Sequence, residues 1–238
     1  MPDALTLTVR ELAAPTPTTR RLLLALGDVP FSYQAGQGGA LGLHGQRERR
    51  PYSIASAPAD SSADGTIEFL LRALPGGGLG RHLDGVREGT RVDFEGPFGA
   101  FVLPDDLPDA PLLFVAGGTG FAPLRSLARE ARARGHRAPR HLLYSVKDVM
   151  DVAYAEELAR WGEDHRGEAV ITATRHAPPT WQGSRGRIGL TLLRRFTSDA
   201  PLCFVCGPAG MVEDLTHTLS QLGVPAGHVR MEQWAPTA

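Results

Sequence analysis

Gly117-Gly118-Thr119-Gly120-Phe121-Ala122-Pro123 is the stretch on which the fold turns. Before it runs Leu112-Leu113-Phe114-Val115-Ala116, an apolar block of the right length for one buried strand. After it, residues 122–134 have helical periodicity, with basic residues in the last turns. Strand, glycine turn and helix in this order form half of a βαβ unit. Glycines here let the backbone approach a ligand closely, and the helix N-terminus offers free N–H groups at a positive dipole end. Pro123 suits the first helical turn, where its missing N–H costs nothing. The run is not GxGxxG, and alone it suits a structural turn as well as a pyrophosphate site.

The same grammar continues to the C-terminus. Further strands are expected at 141–146, 169–174, 202–206 and 229–234, with helices at 152–161, 190–196 and 211–222. Strands alternating with helices imply an α/β domain over residues 110–238, with a doubly wound parallel five-stranded sheet. Cys206-Gly207-Pro208-Ala209-Gly210-Met211 repeats the strand–turn–helix device at what would be the carboxyl edge, where ligands bind in such sheets. The Cys206 thiol could contact a nicotinamide there, or be a buried structural cysteine before a tight turn. Cys203 and Cys206 are the only cysteines, too few for a disulfide scaffold or a four-thiolate cluster. Three apart on one strand they point to opposite faces, which argues against a shared metal.

Residues 1–104 read differently. Short strands at 5–9, 21–26, 67–74 and 91–94 are separated by Gly- and Pro-rich turns, with one short helix near 79–83. That spacing predicts a small antiparallel β-barrel, joined to the second domain by Pro104-Asp105-Asp106-Leu107-Pro108-Asp109. Arg50-Pro51-Tyr52-Ser53, leading into Ile54-Ala55-Ser56, lies on one of its strands. Alternation puts Arg50 and Tyr52 on one face and Ser53 on the other. A fixed cation beside a flat ring is what a flavin nucleotide needs, though a barrel strand with a surface arginine looks the same.

Composition narrows the class of partner. A net charge of −1 gives no electrostatic case for nucleic acid or membrane binding, and no apolar run approaches the ~20 residues that span a bilayer. Met1-Pro2-Asp3-Ala4 lacks the blocks of a signal peptide, so a cytoplasmic location is expected. His136 and His141 flank a loop and read as solvated surface.

Taken in order, the motifs resemble the ferredoxin–NADP reductase family of flavoproteins, and the resemblance spans nearly the whole chain. Arg50-Pro51-Tyr52-Ser53 looks like its RxYS flavin signature, and Gly96-Pro97-Phe98-Gly99 like the turn closing the flavin barrel. The stretch at 117–123 looks like its nicotinamide-nucleotide pyrophosphate loop, and Cys206 to Met211 like its C-terminal nicotinamide-side motif. The resemblance implies bound FAD, with Arg50 on the pyrophosphate, Pro51 beside it, Tyr52 stacked on the isoalloxazine and Ser53 near flavin N5. Pro75-Gly76-Gly77-Gly78-Leu79-Gly80-Arg81-His82-Leu83 resembles the second flavin-phosphate loop. The family usually has Ser or Thr where this chain has Gly80. Gly117, Gly118, Thr119, Gly120 and Pro123 would cradle the dinucleotide, with Cys206, Gly207, Pro208 and Met211 beside the nicotinamide.

Glu232 matches a family acid that assists proton movement, so Ser53, Cys206 and Glu232 are the expected catalytic residues. Trp234, followed by Ala235-Pro236-Thr237-Ala238, could cap the flavin or merely close the sheet. For a 2′-phosphate, Thr174-Arg175 resembles the Ser-Arg pair of NADPH-using relatives, with Arg185 and Arg187 nearby; Lys147 and Asp148 oppose one another in sign. The nucleotide is NADPH or NADH. The implied activity is hydride transfer from nicotinamide C4 to FAD N5, then single-electron transfer to a separate ferredoxin or flavodoxin. A free-flavin reductase and an electron-transfer subunit of a larger complex are the alternatives.

Overall fold

The computed structural model describes residues 4–234. Residues 1–3 and 235–238, which include most of the N-terminal stretch read for targeting signals and the tail beyond Trp234, lie outside the described residues.

The first half forms six antiparallel strands: β1 (Leu5–Thr16), β2 (Thr19–Ala25), β3 (Gly38–Leu43), β4 (Arg50–Ser53), β5 (Thr66–Arg72) and β6 (Arg91–Phe98). Their order is β4-β3-β6-β1-β2-β5. The two ends meet, because Ile54 bridges Phe69 and the Ala55 N–H donates to the Glu68 carbonyl at 2.7 Å. The sheet therefore closes into the expected barrel, and closure removes exposed strand edges. Leu7, Val9, Leu22, Leu24, Leu41, Ile54, Ile67, Phe69, Val92 and Phe94 fill its interior. Within strands these residues recur at spacing two, as the pleat requires.

Two elements here escape sequence patterning. Strand β3 (GGALGL) carries three glycines; a Cβ on Gly39 would fall 2.3 Å from the Phe94 ring, so the glycine makes room for the core. Helix α1 (Pro58–Asp64) buries only Ser61, so it has no apolar stripe. Its ends do carry signals: Pro58 in the first turn, Asp60 accepting from the Ala57 N–H, and Gly65 at φ +64°. The helix expected near 79–83 is a single 3-10 turn, Arg81–Leu83. Gly96, Pro97 and Phe98 complete β6 rather than forming a turn.

The second half is a parallel sheet of β7 (Leu112–Gly117), β8 (Arg140–Asp148), β9 (Ala169–His176), β10 (Ser184–Arg185), β11 (Leu202–Pro208) and β12 (Val229–Trp234). Its order is β10-β9-β8-β7-β11-β12. The expected five strands are joined by a sixth, β10, which at two residues is too short to show a period. Central β7 is buried on both faces. Leu112, Phe114 and Ala116 enter the core under α2 (Phe121–Ala133), and Leu113 and Val115 enter the opposite one.

The helix expected over 152–161 is broken. A 3-10 turn (Val149–Asp151), α3 (Ala155–Ala159) and α4 (Trp161–His165) replace it, and Tyr154 adopts φ +57° between them. That turn sends the Tyr154 hydroxyl to Glu68 on the barrel, so a tertiary contact overrides helical periodicity. Helices α5 (Leu190–Arg194) and α6 (Ala209–Gln221) cover the other face. Cys203 joins that second core and Cys206 the α2-side core, so the thiols do point oppositely. His136 and His141 are half-buried rather than solvated: one bonds the Ala110 carbonyl, and the other packs on Phe196.

Candidate functional site at the barrel–sheet crevice

The chain runs outward from β7 to β10 and then returns to lay β11 on the other side of β7. At this switch point the loops leaving the carboxyl ends diverge and open a crevice. Both glycine turns lie there, and they pack on each other. A Cβ on Gly120 would sit 2.3 Å from the Cys206 carbonyl oxygen, and one on Gly117 would sit 2.5 Å from Met211 Sδ. Gly117, Gly120, Gly207 and Pro123 are buried, so they shape the crevice from behind. Gly118, at φ +54° with open space around it, and half-buried Thr119 form the face toward solvent.

Three side chains from three strands converge beside these turns. Ser53 Oγ, at the end of β4, donates to Glu232 Oε2 at 2.9 Å. Cys206 Sγ approaches the same oxygen at 3.9 Å. Cys206 and Glu232 are register partners on β11 and β12, which is why 26 residues of separation bring them together. Burial raises the Glu232 carboxyl above its usual range, against the pull of its two donors. Burial, reinforced by the Glu232 charge, pushes the Cys206 thiol well up. Cys206 is thus a neutral thiol, unsuited to nucleophilic chemistry and suited to close packing against a ring.

On the barrel side, the Tyr52 ring faces His82 with centroids 5.7 Å apart and an interplanar angle of 19°. Tyr52 Oη and His82 Nε2 are 2.6 Å apart. Burial pushes the phenol up to about 12. It also brings His82 down to about 4, with the Arg50 charge adding to the effect, so the imidazole is neutral at pH 7. His82 falls within the stretch read as the second flavin-phosphate loop, but its pairing with Tyr52 has no signal in the sequence.

Arg50 is partly exposed and 3.5 Å from Glu48, and Pro51 is exposed. Leu79 belongs to the barrel core and Gly77 backs onto the Arg20 guanidinium, while Gly78 faces open space. Gly80 has φ +87°, a conformation that disfavours the Ser or Thr expected there.

At the far edge, Thr174 donates to the Val146 carbonyl at 3.2 Å and Arg175 is exposed at the end of β9. The Arg185 guanidinium is committed to the carbonyls of Ala177 and Pro178, at 3.0 and 2.7 Å. It staples its own loop instead of standing free. Trp234 pairs in register with Pro208.

Comparison with known proteins gives the family. The family model described as "Oxidoreductase FAD-binding domain" matches residues 6–103, and "Oxidoreductase NAD-binding domain" matches 114–217. An aromatic O-demethylase reductase subunit from Amycolatopsis is 32% identical, over 98% of this chain and 70% of its own. Ferredoxin--NADP reductase B of Sorangium cellulosum is 35% identical, with 86% of each chain covered. The crystal structure of an Amycolatopsis cytochrome P450 reductase superposes with a TM-score of 0.86 at 29% identity, covering 98% of this chain and 70% of that one. The chain belongs to the ferredoxin–NADP reductase-like family of FAD-dependent NAD(P)H oxidoreductases.

The residues present fit an FAD. Among the described residues, four buried side-chain polar atoms lack a partner, and two of them, His82 Nδ1 beside Gly80 and Trp234 Nε1 on β12, sit on the segments that carry Gly80 and Glu232. Orphaned buried donors are costly and mark places where a ligand or water completes the bonding.

Proposed function

We propose that this chain oxidises NADPH through a resident FAD and hands the electrons singly to a separate carrier protein, a ferredoxin or a flavodoxin. The convergence of Ser53, Cys206 and Glu232 at the switch-point crevice carries the reading. FAD supplies the ability to take up a hydride and release its electrons one at a time. Every other contribution belongs to the chain. Tyr52 offers a flat face, while Arg50, Gly77, Gly78 and Gly80 form the phosphate side of the barrel. Gly118 and Thr119 present backbone N–H groups to the nucleotide pyrophosphate. Ser53 holds its proton on Glu232 and can redirect it toward the ring, and Glu232, its carboxyl raised by burial, can accept or return one. Cys206, with Gly207, Pro208 and Met211 behind it, fills the nicotinamide side without water.

NADPH is favoured over NADH because Arg175 stands exposed at the carboxyl end of β9, next to the Thr174 hydroxyl, where a cation can meet a 2′-phosphate. The relatives named as a ferredoxin--NADP reductase and as a reductase subunit support a protein acceptor. The flavin unit is residues 1–104 and the nucleotide unit 110–238. Among the described residues no helix is long and apolar enough to cross a membrane; a cytoplasmic location completes the reading.

The test is anaerobic stopped-flow absorbance of the purified protein mixed with NADPH or NADH. Rapid bleaching of bound flavin by NADPH, at least tenfold slower with NADH, is expected. A protein that retains flavin but is reduced by neither nucleotide sinks the reading. A colourless protein active only with added flavin makes it a free-flavin reductase.

A further inference from the structure

Helix α2 begins at the glycine turn of the nucleotide side and carries Arg125, Ser126 and Arg129 toward the barrel. Arg125 lies five residues beyond Gly120, about 7.5 Å along the helix axis. Its guanidinium donates to the Ala55 carbonyl at 2.8 Å and to Glu157 Oε2 at 2.8 Å. Glu68 Oε1 stands 3.4 Å away, and the Tyr154 ring lies 4.4 Å from the guanidinium carbon. Ser126 Oγ donates to the Ser56 carbonyl at 2.7 Å. Arg129 joins Asp60 at 2.8 Å and shares Glu157. The residue Arg125 is only 8% exposed, so water cannot substitute for these contacts.

The two tethers nearest the site end on the main-chain carbonyls of Ala55 and Ser56. Those residues follow Ser53 by two and three positions, within about 10 Å of extended chain. Ser56 is a joint within the barrel as well. Its carbonyl also accepts from Tyr33, and its hydroxyl accepts from Ser61 and from the Glu68 N–H. The backbone leaving the flavin strand is thereby fixed to the helix leaving the nucleotide turn.

We propose that Arg125, seconded by Ser126, is a positioning residue that sets the separation between the flavin and nicotinamide half-sites. The inference rests on the NADPH-to-flavin reading above. Arg125 touches neither Ser53 nor Cys206; it acts through the backbone that places them. A planar fork that reaches a carbonyl on one domain and a carboxylate on the other does what the point charge of lysine cannot. A misplacement of 1 Å between reacting groups can cost about a hundredfold in rate.

The experiment is single-turnover reduction of bound flavin in Arg125→Met, Arg125→Lys and Ser126→Ala, titrated with NADPH to separate limiting rate from dissociation constant. Flavin content by absorbance and the spacing of spin labels at Leu74→Cys and Met150→Cys, both exposed, are read on the same proteins. Arg125→Met is expected to keep flavin, lower the limiting rate at least tenfold, change the dissociation constant less than threefold and broaden the label distances. Arg125→Lys should recover part of the rate. A folded, flavin-loaded Arg125→Met with the wild-type limiting rate overturns the proposal. If that variant does not fold, Ser126→Ala decides: a two- to fivefold slower limiting rate supports it, and an unchanged rate overturns it. If NADPH does not reduce the wild type either, the functional reading fails and takes this proposal with it. A failure confined to the variants leaves that reading intact.

Discussion

The glycine turns at 76–80 and 117–120 look interchangeable in sequence and serve opposite physical ends. In the nucleotide-side turn, Gly117 and Gly120 are glycine because protein atoms crowd them: Met211 Sδ at one, the Cys206 carbonyl at the other. In the barrel-side turn, Gly76 and Gly80 have φ near +87° and face no backbone within 4 Å, so chirality rather than space requires them. One turn is a packing joint between two loops of a sheet edge. The other is a sharp reversal leading into a 3-10 turn. Glycine richness alone therefore says little about ligand approach; only Gly118 in the first turn, and Gly76 and Gly78 in the second, leave open space.

This contrast can be tested by substitution. Gly120→Ala should cost most, about 3 kcal/mol of unfolding free energy in urea, because a backbone carbonyl at 2.3 Å cannot move aside; a loss below about 1 kcal/mol would show that the turns do not interlock. The next effect is one of pH. His82 is held near 4 in the fold against about 6.5 unfolded. The unfolded chain therefore binds the extra proton, and stability declines as pH falls from 6.5 toward 4. His82→Phe should remove up to about 1.4 kcal/mol per pH unit from that slope, as urea midpoints across pH 4–7 would reveal, while leaving the part due to His165, which burial lowers to about 3. An unchanged slope would mean that His82 is not sequestered behind the barrel-side turn. Gly118→Ala should cost about 1 kcal/mol, purely for its left-handed backbone. Smallest of all, Gly78→Ala should stay within about 0.5 kcal/mol, since its Cβ meets nothing; a larger loss would place that glycine in the packing class.

Much of the site could be read in the residues. The alternation Arg50-Pro51-Tyr52-Ser53 put Tyr52 and Ser53 on opposite faces, and they do serve different neighbours, His82 and Glu232. The odd spacing of Cys203 and Cys206 separated the thiols correctly. What escaped had no period to betray it. Strand β10 is two residues long, and α1 is a polar helix with one buried side chain. Strand β3 is half glycine. Arg185, expected beside a ribose phosphate, is tied to two loop carbonyls that no spacing rule connects to it. Ser56, the last residue of the flavin-side stretch, gave no hint of joining the two domains.

From the sequence by itself came the division into barrel and doubly wound sheet, the two ligand-side turns and the cofactor class. The division and the turns follow from local alternation, helical spacing and glycine placement, which are properties of neighbouring residues; the cofactor class follows from the resemblance of those motifs, taken in order, to a known family. The tertiary structure alone decided which glycines face open space, which arginine is spent, and that Ser53 meets Glu232 across 179 residues. It alone paired Arg125 with the barrel backbone. Contacts of that kind depend on the closure of one sheet and the docking of another against it. No local pattern encodes the distance between two surfaces that meet only after both have formed.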